Sequence, residues 1–252
     1  MEKFSKSDIT ALKKSGQILK EALSVVSDKA KPGVSGAYLN NIAEEIIRMR
    51  GGKPSFLNYS STGEEPFPAS LCVSINENVV HGIPTSNQII KEGDVVSLDL
   101  GVKYQGLCTD SAVTIIAGET YDQNHQKLVE VTKKSLEVGI KQVKAGNTTG
   151  DIGNAIENYV SGKGFTIVKS LVGHGIGKEP HQEPQVPNFG KKRSGAKLIE
   201  NTAIAIEPMV VIGKRDLKTD QDGWSIITVD KSISAHFEHT VLITKNGHVK
   251  IT

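Results

Sequence analysis

An α+β fold, rather than a doubly wound α/β one, is what this 252-residue sequence predicts. Three observations carry the prediction. One helix pattern occurs twice, 113 residues apart. Strand-like runs outnumber helices towards the end of the chain. No regular strand–helix alternation supports a parallel sheet. A chain of this length can bury a large core, as one domain or as two closely packed halves. The expected division is a single domain, residues 1–252, with halves at about 1–118 and 119–252.

Residues 8–28 read as the first helix, with Ser7 as its candidate N-cap and Leu12, Leu19, Leu23 and Val26 as its apolar stripe. Lys31-Pro32-Gly33 breaks it. A second helix starts after Ser35, carries Leu39, Ile42, Ala43, Ile46 and Ile47 on one face, and ends at Gly51-Gly52. Shifted by 113 residues, that face becomes Ile152, Ala155, Ile156, Tyr159 and Val160. Under the same shift Gly33 becomes Gly146, Ser35 becomes Thr148, Asn41 becomes Asn154, Glu44 becomes Glu157 and Gly51 becomes Gly164. Amphipathic helices share apolar spacing by chance, so the matched polar and glycine positions carry the case for a duplication. The helix around Lys133-Lys134-Ser135 mirrors the first one and is about two turns shorter. Two repeats suit a pseudo-twofold domain with a site at the seam.

Pro54–Pro68 is rich in turn formers and reads as a loop. Leu71–Asn76 reads as a strand, Asn76-Glu77-Asn78 as a turn, and Val79–Pro84 as a second short strand. Val95–Ile115 reads as a hairpin, two runs of Val, Ile, Leu and Thr around a turn near Tyr104-Gln105-Gly106. In the second half Phe165–Val172 is a strand that runs into Gly173-His174-Gly175-Ile176-Gly177, and Glu179–Arg193 is a Pro- and charge-rich loop. Thr202–Ile212 is an apolar strand, Lys214–Gly223 a polar turn, and Trp224–Val229 and His236–Thr244 complete the sheet.

The hairpin is where chemistry first surfaces. One acid interrupts each apolar run, Asp99 and Asp110. A two-residue turn at Tyr104-Gln105 would set them directly opposite each other on one face, about 4.5–5.5 Å apart at Cβ. Either both acids are solvated, or a cation or shared proton lies between them. Three more polar residues fall where strands should be apolar: His174 among glycines that let the backbone approach a ligand, Glu207 before a proline, and Glu238 in AHFEHTVLI. Singly, each has an ordinary reading as a turn or strand-end residue. Together, four carboxylates buried in one seam are costly without cations. One imidazole with four carboxylates suits two divalent ions about 3.5–4 Å apart, with Mn, Fe or Co favoured by the oxygen-rich set and Zn also accommodated.

The bulk numbers exclude several classes. Thirty basic residues against 28 acidic ones give a net charge of +2, so nothing argues for a nucleic-acid or membrane-surface partner. No apolar run is long enough for a membrane helix, and MEKFSKSDITALKKSG lacks a signal peptide's apolar core. With only Cys72 and Cys108, reduced thiols are expected, which fits a soluble cytoplasmic protein.

VSLDLGVKYQGLCTDSAVT, GHGIGKEPHQEP, AIEPMV, SAHFEHTVLIT and NENVVHGIP, in their chain context, resemble the motifs of type I methionine aminopeptidases in their compact bacterial form. The resemblance spans essentially the whole chain and implies the "pita-bread" fold, two pseudo-symmetric α+β halves around a dinuclear metal centre. It implies that Asp99 chelates one metal, that Asp110 and Glu238 bridge two, and that His174 and Glu207 complete the set. The implied reaction is removal of the initiator methionine from new proteins with a small second residue. A metal-bridged hydroxide would attack the scissile carbonyl while Glu207 shuttles the proton. His181 would steady that carbonyl, and His81 would contact the substrate backbone. Cys72 and Trp224 would line the methionine pocket, where the alternative is ordinary core. Asn76, Asn78 and Ser234 match a monovalent-cation site (Na or K) of some members. The implied partners are N-terminal peptides of nascent chains, near the ribosome, met by a monomeric enzyme.

Two departures from the family pattern concern the pocket. Pro180 stands where many bacterial members carry a Phe, and Pro54–Pro68 is longer than usual, leaving Phe56, Tyr59 and Phe67 as candidate wall residues. Two competing readings are an X-Pro-cleaving relative, which would cleave X-Pro peptides rather than Met-Ala-Ser, and a non-catalytic peptide-binding protein, which would be expected to have lost ligands.

Overall fold

The first helix begins earlier than its apolar periodicity suggests. In the computed structural model, which describes residues 3–60, 65–120 and 122–252, α1 spans Lys6–Lys29 and its N-cap is Ser5, not Ser7. Ser5 and Asp8 form a capping box that satisfies two orphan donors at once. The expected stripe of Leu12, Leu19, Leu23 and Val26 is buried.

Helix α2 (Gly36–Met49) is capped by Ser35, whose hydroxyl accepts from Tyr38 N–H. Helix α3 (Gln123–Ile140) is six residues shorter than α1, 18 against 24. Helix α4 (Thr149–Ser161) is capped by Thr148, the shifted counterpart of Ser35. The two helix entries repeat in detail. Gly33 and Gly146 both have positive φ, 87° and 91°, and donate N–H to Ile90 and Leu198 at 2.8 and 3.0 Å. Ile90 and Leu198 donate back to Val34 and Asn147. Gly51 and Gly164 leave the second helix of each half with φ of 79° and 83°, which a side chain would disfavour. The Asn41–Asn154 match does not carry over. Asn154 ties Gly190 O, but in α2 the neighbouring Asn40 makes the corresponding tie, to Ser70 and Leu71 N–H, while Asn41 is exposed.

The strands are β1 (Lys53–Pro54), β2 (Leu71–Ile75), β3 (Asn78–Val80), β4 (Val95–Tyr104), β5 (Leu107–Ile116), β6 (Thr166–Ile167), β7 (Gly173–Ile176), β8 (Gln182–Val186), β9 (Ala203–Ile206), β10 (Met209–Val211), β11 (Leu217–Thr219), β12 (Ile226–Thr228), β13 (Ser234–His236), β14 (His239–Ile243) and β15 (His248–Lys250). Among the described residues every ladder between these strands is antiparallel. Strand β4 pairs with β5 along one edge and with β2 and then β1 along the other; the other sheets run β13-β10-β6, β11-β12-β3 and β15-β14-β9-β7-β8. This is an α+β architecture of two helix pairs and antiparallel sheets, as the resemblance implies. One apolar cluster fills each half, around Leu39, Leu98 and Leu100 in the first and Ile152, Ile204 and Val241 in the second. Val113 on β5 packs against both.

Several expected strands are broken, and each break has a cause. Thr202–Ile212 is interrupted at Glu207-Pro208, because Pro208 has no N–H to continue a ladder. Its two pieces join different sheets. His236–Thr244 breaks at Phe237-Glu238, and its residues up to His236 belong to β13. Val79–Pro84 stops at Val80, because His81 takes a positive φ of 60°. Phe165–Val172 is a strand only over Thr166–Ile167, whereas the expected loop Glu179–Arg193 contains β8. Residues 61–64 of the Pro54–Pro68 loop lie outside the described residues. Both cysteines are buried and free, and no described helix is long and apolar enough to cross a membrane.

Candidate metal centre

The β4–β5 turn is Gln105-Gly106, not Tyr104-Gln105. Both turn residues have positive φ, 46° and 85°, the signature of the tight hairpin turns whose twist suits the flanking strands. The register therefore pairs Asp99 with Ala112 and Asp110 with Gly101. The two acids are diagonal rather than opposed. Because a strand alternates faces every residue, a shift of two keeps them on one face. Gly101 is small for a reason: a Cβ there would run into Ser55 Oγ and the Phe56 ring.

Glu238 reaches the same level from the other half, with its N–H donating to Ala112 O at 3.0 Å. Glu207 and Glu238 face each other across matched breaks. Ile206 pairs with His239 on one side, and Met209 pairs with His236 on the other. His174 enters on β7. Its flanking glycines serve neighbouring strands rather than a ligand: a Cβ on Gly173 would strike Ala205 O, and one on Gly175 would strike Glu183 O. His174 Nδ1 lies 3.0 Å from Gly175 O, so this nitrogen donates the proton. Nε2 is left as an acceptor, 3.3 Å from Glu207 Oε1 and 4.0 Å from Glu238 Oε1.

Ligand atoms of Asp99, Asp110 and Glu238 lie within 4.8 Å of one another, as do those of His174, Glu207 and Glu238. All five sequence-derived candidates thus converge. Asp99 Oδ1, Asp110 Oδ1 and Glu238 Oε1 are buried without hydrogen-bond partners among the described residues. Burial, compounded by the neighbouring carboxylates, pushes Asp110 and Glu238 well above the usual carboxylate range. Burial likewise raises Asp99 to about 6. Such oxygens demand either protons or cations, and an oxygen-rich set with one imidazole fits divalent metal ions. Burial alone would raise Glu207 too, but the imidazoles of His236, His174 and His181 hold it below its ordinary value.

A cavity of about 330 Å³ opens over the cluster. Cys72, His81, His181 and Trp224 all line it, as do the loop aromatics Phe56, Tyr59 and Phe67. Pro180 is buried and is not part of this lining. The aromatic wall comes instead from the long loop, pinned where Trp224 Nε1 donates to Glu65 O at 3.1 Å and Phe67 meets the Trp224 ring edge-on. His181 stands at the mouth, its ring 4.4 Å from that of His174. Crowding by protein and the nearby His174 lower it to about 3. The three residues expected at a monovalent-cation site also meet: Asn76 O and Asn78 O both accept from Ser234 Oγ, at 2.8 and 3.1 Å.

Sequence reasoning passed over two residues at this site. His236 is 1% exposed and points Nε2 at Glu207 Oε2 from 3.5 Å. Asn188, fully buried, donates from Nδ2 to Glu207 O at 3.0 Å. His236 sits in the quoted SAHFEHTVLIT stretch, where a polar residue inside an apolar strand was the available signal.

Comparison with known proteins places this geometry. The model of metallopeptidase family M24 matches residues 10–245. The chain is 44% identical to a methionine aminopeptidase from Aquifex aeolicus, over 100% of this chain and 98% of that one. It superposes on the crystal structure of a methionine aminopeptidase from Thermotoga maritima with a TM-score of 0.95 and 41% identity, covering 100% and 99% of the two chains. A prolidase from Pyrococcus horikoshii shares the fold at 23% identity and a TM-score of 0.78, with 63% of its own length covered.

Proposed function

This chain belongs to metallopeptidase family M24, and from that premise we propose that it is a methionine aminopeptidase, a metallo-exopeptidase that removes the N-terminal methionine of peptides and nascent proteins. Full-length likeness to methionine aminopeptidases, at 44% and 41% identity, supports this reading over an X-Pro peptidase, whose representative shares only the fold at 23%. The observation that carries it is the convergence of Asp99, Asp110, His174, Glu207 and Glu238 beneath a cavity lined by the aromatic rings of Phe56, Tyr59, Phe67 and Trp224.

In this proposal the five residues hold two divalent ions. Bound there, the ions would polarise the scissile carbonyl and make water a competent nucleophile at neutral pH. The methionine side chain enters against Cys72, Phe67 and Trp224, and Tyr59 and His81 close the sides. The buried Phe67 and Cys72 and the half-buried Trp224 give that side of the cavity an apolar surface suited to an unbranched thioether. Glu207, ionised at neutral pH, takes up the proton of the attacking water at Oε1 and delivers it to the leaving amine. His181, neutral in its surroundings, donates an N–H to the oxygen of the scissile carbonyl as charge develops there. His81 holds the substrate backbone beside the leaving group. A small second residue, Co, Mn, Fe or Zn as the metal, a Na or K ion at Asn76, Asn78 and Ser234, a cytoplasmic monomer and encounter at the ribosome complete the proposal.

The test is release of free methionine from Met-Ala-Ser by metal-stripped protein titrated with Mn(II), Fe(II), Co(II) and Zn(II). Metal-dependent turnover that Glu207→Ala and His181→Ala both depress is the expected result. Cleavage of X-Pro peptides without cleavage of Met-Ala-Ser would overturn the assignment.

A further inference from the structure

His236 has no evident reason to be a histidine if it only fills space. Its ring is 1% exposed, and neither nitrogen has a hydrogen-bond partner among the described residues. Burying an unsatisfied imidazole is costly. The polar group it addresses is Glu207 Oε2, 3.5 Å from Nε2.

The direction of the ring is set by its backbone. Thr114 Oγ1 accepts from His236 N–H at 2.9 Å and donates to His236 O at 2.6 Å. The same hydroxyl lies 2.8 Å from Ser97 Oγ, so His236 is clamped to the β4–β5 hairpin that carries Asp99 and Asp110. Pairing of His236 with Met209 then places the ring beside the Glu207-Pro208 break. On the far side, Asn188 holds the Glu207 carbonyl. Backbone and carboxylate of Glu207 are therefore gripped separately, at a point where no ladder hydrogen bond fixes the chain. With Oε2 turned towards His236, Oε1 is the oxygen presented to His174 Nε2, 3.3 Å away.

We propose that His236 is the positioning residue of Glu207, donating from Nε2 to Oε2 so that Oε1 is the oxygen turned towards His174 and the acidic cluster. The inference rests on Glu207 being a metal ligand. His236 itself touches neither substrate nor ion. Its effect reaches the reaction through the orientation of one carboxylate.

Three substitutions separate this role from packing. In His236→Gln the side-chain amide can reach where Nε2 sits. In His236→Asn the donor stops near the Nδ1 position, and His236→Ala removes it. Each Mn(II)-loaded variant is assayed for kcat and KM on Met-Ala-Ser, and Mn(II) binding to each metal-stripped variant is measured by calorimetry. Outer partners of metal ligands are worth about 10–100-fold in affinity or activity. The expected result is a loss in that range for Ala and Asn, in kcat and in the weaker Mn(II) affinity, with KM within about twofold. Gln should stay within about threefold of wild type on both readouts. If Ala fails to fold, the Gln–Asn contrast carries the test, since both keep a polar side chain. Variants indistinguishable from wild type, or Gln as poor as Ala, would overturn the inference alone. Wild-type protein that binds no Mn(II) would remove the ligand role of Glu207, and this inference with it.

Discussion

The ring of Tyr59 stands edge-on to that of His181, with centroids 5.0 Å apart and planes inclined by 63°. The long Pro54–Pro68 loop thereby touches the histidine assigned to the scissile carbonyl. Edge-to-face pairs contribute about 0.5–1.5 kcal/mol beyond their buried area. We expect Tyr59→Ala to lower kcat/KM on Met-Ala-Ser by about 2- to 10-fold on that basis, and Tyr59→Phe, which keeps the ring, to stay within about twofold. Steady-state kinetics of the two variants check this.

Asp99 makes the metal-free protein sensitive to pH in a defined direction. Its folded-state value is raised from 3.8 to about 6, mainly by burial. A raised value means that the protonated form favours folding. That contribution is whole below about pH 4 and fades as pH rises through about 6. Asp99→Asn imitates the protonated form at every pH. In EDTA, the Tm of Asp99→Asn minus that of wild type should therefore increase from pH 4 to pH 7. A difference that shrinks over this range would contradict the assigned burial.

Metal loading should displace protons. Asp110 and Glu238 are held well above the usual carboxylate range, burial being the main cause and neighbouring carboxylates the next. Divalent ions bind the ionised forms, so affinity should rise with pH. Calorimetric titration of the stripped protein with Mn(II) near about pH 6.5, in two buffers of different ionisation enthalpy, should report net proton release. Glu238→Gln should reduce that release and shrink the Tm gain from Mn(II), because a neutral amide replaces an ionised carboxylate poorly beside a divalent ion.

His181, lowered to about 3, stays neutral throughout the working range of such an enzyme. Removing one donor of this kind costs about 10²–10³ in kcat. We expect that loss in His181→Ala with KM little changed. The pH–rate profile of wild type between about pH 5 and 8 should contain no limb that disappears in this variant.

Much of this site was legible in the sequence. Asp99, Asp110, Glu207 and Glu238 announced themselves as charges inside apolar strands, where burial forces a carboxylate to find a cation. Ser35, Thr148, Gly33 and Gly146 repeated because cap geometry and positive φ restrict residue choice locally. These constraints act within a few residues, so a linear reading captures them. Tertiary structure decided what depends on partners distant in the chain. A turn shifted by one residue moved Asp110 from opposite Asp99 to its diagonal, since only the pairing of two strands defines register. Pro208 stops a ladder wherever it stands, but that Glu207 faces Glu238 across the stop depends on β9 and β10 pairing with β14 and β13. Gly173 and Gly175 make room for strands contributed by later residues, not for a ligand. His236 and Tyr59 gain their meaning from Glu207 and His181, neighbours that folding alone brings within contact.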